Sequence, residues 1–343
     1  MPAHSGVRTW LLGLVLGAIV MVILGGVTRL TLSGLSITEW NPIFGFVPPL
    51  SDADWSAELE KYRQTPQART VFPDISLSDF KKIYFWEFVH RLWGRVLGIV
   101  FAVPLIWFWK RRMLDGFVKR RLALALAMGG LQAWIGWFMV KSGLTEGPFV
   151  SPLRLAIHFS LAVVLIVLLF DTALRLKADE KQPVQRTPLR TPLLCRWFFP
   201  ITALGLGIQI VFGALNAGHK TGTLAPTFPT MNGYWIPPGL WELQPVLINF
   251  LSNPVTVQWF HRLLGTLIVA AFAFFGVKLW RAGRKRSALF LSGLVLFQFV
   301  LGAVIVVTGV PILLAVLHQL SAVIIVLAFV WMWSDGDLPG DMR

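Results

Sequence analysis

Four histidines open four long apolar runs, and they come in matched pairs. His90 lies in Glu87-Phe88-Val89-His90-Arg91-Leu92-Trp93-Gly94, and a similar string returns as Gln258-Trp259-Phe260-His261-Arg262-Leu263-Leu264-Gly265. His158 and His318 open two further apolar runs. An ionisable side chain in lipid is costly and usually marks function. A single such histidine is often a hydrogen-bonded packing residue; the matched set of four points to ligation. Two neutral imidazoles facing each other in a helix bundle can fill both axial positions of a haem iron. Zinc or copper would want a third or fourth donor. Glu87 could supply one in the first half, but Gln258 stands in its place in the second.

Neighbouring residues carry two readings each. Arg91 and Arg262 follow their histidines directly and could pair with haem propionates or snorkel to lipid phosphate. Gly94, Gly98 and Gly265 fall at i+4 or i+8 of their histidines, where small residues admit a flat macrocycle or a neighbouring helix. Glu87 shares a helix face with His90. It could act on whatever the first histidine pair holds, or pair with Arg91, or favour the start of its helix. Its absence from the second half suggests one reactive half and one electron relay.

The elements that position these residues are membrane spans. Only 14% of the 343 residues are charged, 55% are hydrophobic, and the mean hydropathy is +0.67; soluble domains carry about 25% charged residues. The net charge of +14 does not mark a nucleic-acid binder, because the basic residues cluster in short loops between apolar runs. Cys195 is the only cysteine, which excludes an intrachain disulfide and a thiolate cluster. The first run, beginning by Trp10, is too long for a signal-peptide core and reads as a retained helix. No Arg- and Ser-rich presequence precedes it, which favours a bacterial inner membrane.

Runs long enough to cross a bilayer fall near Trp10–Leu30, Phe88–Trp109, Leu122–Val140, Leu155–Leu174, Trp197–Ala217, Val255–Val277, Ala288–Val310 and Ile312–Trp333. Gly309-Val310-Pro311 makes a tight turn between the last two. Lysines and arginines concentrate between spans two and three, four and five, and six and seven, so those loops and both termini are expected in the cytoplasm. The acidic stretch Thr31–Phe85 and the stretch Gly218–Pro254 are expected outside. The pattern repeats: His90 returns as His261, Gln132 with Gly136 as Gln298 with Gly302, and His158 as His318. The expected fold is an all-α polytopic membrane protein of eight transmembrane helices, arranged as two pseudo-two-fold related four-helix bundles. The bundles occupy residues 1–178 and 190–334, joined by a cytoplasmic linker at 179–189. All four histidines then lie near the outer face.

The chain resembles the haem A synthase family over nearly its whole length. The resemblance rests on Gly25-Gly26-Val27-Thr28-Arg29-Leu30, Gly34-Leu35-Ser36 with Glu39-Trp40, Glu87-Phe88-Val89-His90-Arg91, His158, His261-Arg262 and His318. Thr227-Phe228-Pro229-Thr230-Met231-Asn232-Gly233 with Trp235-Ile236-Pro237 completes it. It implies oxidation of the C8 methyl of haem O to a formyl group by successive hydroxylations. It implies that His90 and His158 hold the substrate haem, that His261 and His318 hold a resident haem b, and that Glu87 is the reactive-site glutamate. Arg29, Glu39 and Arg154 are expected to line the outer end of the substrate site. Many bacterial members carry cysteine pairs in the first and third outer loops. This chain lacks them and looks like the cysteine-free branch shared by proteobacterial and mitochondrial members. Partners implied are the bilayer, haem O handed over by a haem O synthase, and an electron acceptor that no residue identifies; a homo-oligomer stays open. Two other readings compete: a two-haem b-type electron-transfer cytochrome, which expects haems on opposite sides of the bilayer, and a haem carrier or insertion protein, which does not need Glu87.

Overall fold

The computed structural model describes residues 3–41, 45–178, 193–281, 283 and 285–334. For 3–4, 177–178 and 193–199 it describes the backbone alone. The expected linker 179–189 and the basic residues Lys181, Arg186, Arg190 and Arg284 lie outside the described residues. Among the described residues the fold is helical throughout, with no strand beyond an isolated bridge between Met231 and Tyr234. Its α-helices are α1 (Ala3–Leu30), α2 (Asp52–Arg63), α3 (Pro66–Val71), α4 (Leu77–Lys110), α5 (Gly116–Thr145) and α6 (Pro152–Ala178). Then come α7 (Leu193–Gly218), α8 (Asn249–Ser252), α9 (Pro254–Arg281), α10 (Lys285–Val307) and α11 (Ile312–Ser334). Eight of these, α1, α4–α7 and α9–α11, are long and apolar enough to cross a membrane. Leu, Ile, Val, Phe and Trp side chains stay exposed along them, for example Val103, Ile106, Leu204, Leu267 and Leu313. Such a surface would be a liability in water and suits lipid.

The spans begin and end where capping residues put them rather than where hydropathy falls off. Helix α4 starts at Leu77, capped by Ser76, whose hydroxyl accepts from the Asp79 amide at 3.1 Å. That is well before the apolar run at Phe88, because hydropathy registers only the part matched to the bilayer core. At the other end of the chain the turn comes where expected. Gly309 and Val310 both take positive φ (75° and 61°) between α10 and α11. A β-branched residue in that region is strained. The Val310 side chain fills the space beside Gly222, where an added Cβ would lie 2.6 Å from Val310 Cγ2.

Contacts divide the chain into two compact units, one of residues 12–166 and one of residues 1–11 with 167–343. In the first, the segment after α1 is a folded helical cap rather than an open loop. Ser51 and Asp54 form a capping box on α2, and Thr65 with Pro66 starts α3, local signals for helix entry. The cap has its own core of Leu59, Tyr62, Ala68, Ile75, Phe80 and Tyr84. The Tyr62 hydroxyl donates to Gln67 Oε1 at 2.9 Å. The second unit packs α9, α10 and α11 around Phe272, Phe275, Leu279, Leu291, Val295, Phe329 and Met332.

The cap core generates a prediction. Tyr62 is fully buried, so Tyr62→Ala should destabilise the cap by about 3 kcal/mol. Trypsin should then cut at the exposed Arg63 and Arg69 faster than in the parent protein, with the spans intact. An unchanged cleavage rate would count against this core.

Candidate histidine sites

Each histidine lies against a glycine of the span that precedes its own. His90 on α4 lies against Gly25 of α1, His158 on α6 against Gly136 of α5, His261 on α9 against Gly213 of α7, and His318 on α11 against Gly302 of α10. A Cβ added at these glycines would come within 2.9–3.2 Å of a ring atom, closer than ordinary van der Waals contact. Four residues before three of these glycines stands a glutamine whose amide donates to the histidine's own carbonyl. Gln132 reaches His158 O at 3.1 Å, Gln209 reaches His261 O at 3.1 Å, and Gln298 reaches His318 O at 3.0 Å. Gln298 is further fixed by the Ser321 hydroxyl. Two of these pairs, Gln132–Gly136 and Gln298–Gly302, show in the sequence repeat; Gln209–Gly213 has the same spacing and went unnoticed there.

All four histidines are half-buried. The His261 and His318 ring centroids lie 6.5 Å apart with the planes at 72°. With metal–imidazole bonds of about 2 Å, two rings sharing one axial iron stand about 6 Å apart. The Nδ1 atoms of His158, His261 and His318 are buried without a hydrogen-bond partner. His90 and His158 belong to one unit and interact electrostatically. Among the described residues no cluster of three or more His, Cys, Asp or Glu comes together.

Glu87 is 2% exposed and makes four hydrogen bonds. One oxygen accepts from the Ser36 hydroxyl (2.7 Å) and the Ile37 amide (2.8 Å). The other accepts from Arg91 Nε (3.0 Å) and Nη2 (2.6 Å). Arg91 also donates to the carbonyls of Ile37 and Glu39. The carboxylate thus fastens the segment after α1 onto α4. The Glu39 side chain turns outward to Lys61 at 2.8 Å, and the hydrogen bond from Lys61 holds its carboxyl below the usual range. Arg262 repeats the arrangement in the second unit. It donates to the carbonyl of Ala225 (2.8 Å) and to those of Thr227 (2.7 Å) and Thr230 (3.2 Å), the last two inside the outer motif singled out in the sequence. Arg154 donates to Phe138 O and to Glu146 and stacks on the Phe138 ring. Arg29 ends the last turn of α1. Gln258, at the position equivalent to Glu87, is 1% exposed and neither end of its amide has a partner.

A family model described as "Cytochrome oxidase assembly protein" matches residues 8–330. Curated relatives include three named Heme A synthase. The protein of Rhodospirillum centenum is 42% identical, covering 96% of this chain and 88% of its own length. That of Anaplasma marginale is 41% identical, covering 97% and 94%, and that of Brucella anthropi is 39% identical, covering 97% and 93%.

Removing Arg91 would leave the Glu87 carboxylate buried with half its partners gone. Arg91→Ala should destabilise the first unit by about 3 kcal/mol or more, and the double variant Arg91→Ala/Glu87→Gln should recover part of that loss. Thermal denaturation in detergent measures both. Simple addition of the two single effects would show that the pair does not act as a unit.

Proposed function

The chain belongs to the family of cytochrome oxidase assembly proteins, and from that premise we propose that it is a haem A synthase, an oxidoreductase that converts the C8 methyl of haem O to a formyl group. The observation that carries the reading is the asymmetry between two otherwise matched histidine sites. Both offer two glycine-backed imidazoles. Only the first adds a buried carboxylate, and Gln258 replaces it in the second.

In this reading His90 and His158 would hold the substrate haem O, and His261 and His318 would hold haem b. When bound, the haem b supplies one-electron redox capacity for passing electrons onward to an acceptor. Glu87 acts as a fixed anion. Its oxygens are both saturated by donors, so it is oriented in advance and needs no rearrangement when positive charge develops at the methyl carbon. A preorganised charge in a water-poor site is the largest single kind of catalytic stabilisation. Ser36, the Ile37 amide and Arg91 are the positioning groups that keep it there. Arg91 and Arg262 act through the outer segments they hold, closing each site from the water side. The protein lies in a bacterial inner membrane with both termini cytoplasmic, as the basic loops between spans indicate.

Co-expression with a haem O synthase, followed by mass identification of the extracted pigments, tests the activity. Haem A or its hydroxymethyl intermediate is the expected product; unchanged haem O beside haem b alone would retire the proposal. Glu87→Gln should keep both haems and lose conversion, and wild-type conversion in that variant would reduce Glu87 to a fastening role. His261→Ala and His318→Ala should each deplete haem b and its low-spin spectrum, and retention of that spectrum in both would refute the ligand assignment.

A further inference from the structure

Three of the four histidines have a two-point attachment, and the fourth does not. For His158, His261 and His318, a glycine backs the ring and a glutamine one turn away pins the backbone carbonyl. On α1 the residue four before Gly25 is Met21, whose thioether cannot donate a hydrogen bond. Met21 instead packs on α4, with its Cε 3.2 Å from where a Cβ on Gly94 would sit. No side chain among the described residues donates to the His90 carbonyl. The ring of His90 is also set differently from the other three. They present Cε1 to their glycines at 2.9–3.2 Å, with Nδ1 at 3.5–3.7 Å and, in His158 and His318, Nε2 at 3.7–3.8 Å. His90 presents Nε2, at 3.1 Å, and Cδ2, at 3.6 Å, to Gly25.

We propose that His90 is the exchangeable ligand of the substrate site, letting go of the iron when haem O enters and product leaves, while the glutamine-braced His158 keeps hold. This rests on the reading that the first unit binds the substrate haem. Only the dative bond from His90 to iron breaks and re-forms; no electron or proton is transferred in that step. A site that must release its product needs one weak ligand. A site that keeps a resident cofactor needs none, and both of its histidines are braced. Met21 is the residue that sets the difference, because it replaces a donor with a soft, flexible side chain.

The test uses full-length protein purified with haem O bound. His90→Ala should retain the substrate haem on His158, with an open axial position that binds carbon monoxide after reduction, whereas His158→Ala should lose it. Met21→Gln should slow transfer of the substrate haem to excess apomyoglobin about tenfold, the worth of one buried hydrogen bond, and lower the fraction that binds carbon monoxide. Equal haem loss from His90→Ala and His158→Ala would overturn the proposal, as would an unchanged transfer rate in a folded Met21→Gln protein. If Met21→Gln does not fold, the histidine comparison decides alone. The double variant His261→Ala/His318→Ala separates this from the underlying reading: it removes both histidines of the second site, so haem O still bound to that protein belongs to the first. Absence of haem O from that variant would sink the substrate assignment itself.

Discussion

Lipid offers no hydrogen bonds, so every polar group that enters it must find its partner within the chain. That constraint explains the construction that recurs at His158, His261 and His318. A helix cannot use its own backbone to orient an imidazole, so a neighbouring span does it. The glycine lets two helices approach until the ring lies on the facing backbone, and the glutamine satisfies its amide donor on the spare lone pair of the histidine carbonyl. The attachment is short, and it lies between consecutive spans.

The same constraint separates the two units. In the first, a carboxylate is buried and fully paired: Ser36, the Ile37 amide and Arg91 surround Glu87. Burying such a pair gives little net stability, because desolvation offsets most of the attraction. Its consequence is positional. The segment after α1 is drawn onto α4 one turn from His90, and the anion is held beside the histidine rather than free to swing. In the second unit Arg262 fastens the outer segment together with Trp259 and Thr256, which donate to the carbonyls of Trp235 and Leu240, and among the described residues no carboxylate takes part. Gln258 is buried with its amide unpaired, and an unpaired buried amide costs about 1–3 kcal/mol.

Much of this was legible in the chain. Eight apolar runs, the paired His-Arg dipeptides and the acidic residue present in only one of them all follow from local patterns. Bilayer thickness sets the length of a span, and the expense of charge in lipid makes each intramembrane histidine stand out. The internal repeat exposed two of the glutamine–glycine pairs. Less visible were the helix ends, which Ser76 and its like decide by capping, and the cap formed by α2 and α3, whose amphipathic turns carry too little hydropathy to register. Arg91 and Arg262 admitted propionate or lipid as partners on sequence grounds, and Arg91 also Glu87; the structure shows that ion pair and, for both arginines, the carbonyls of outer segments far away in sequence.

By itself, then, the order of residues determined which side chains could ligate iron, how many times the chain crosses the membrane, and which half carries the acid. Tertiary structure alone decided what Glu87 touches, which edge of each ring meets its neighbour, and that Met21 occupies the place glutamine holds elsewhere. The physical reason is range. Hydropathy and helical periodicity act within a few turns, whereas a hydrogen bond from Ser36 to Glu87 or from Gln209 to His261 depends on two distant backbones arriving within 3.5 Å, and only packing sets that distance.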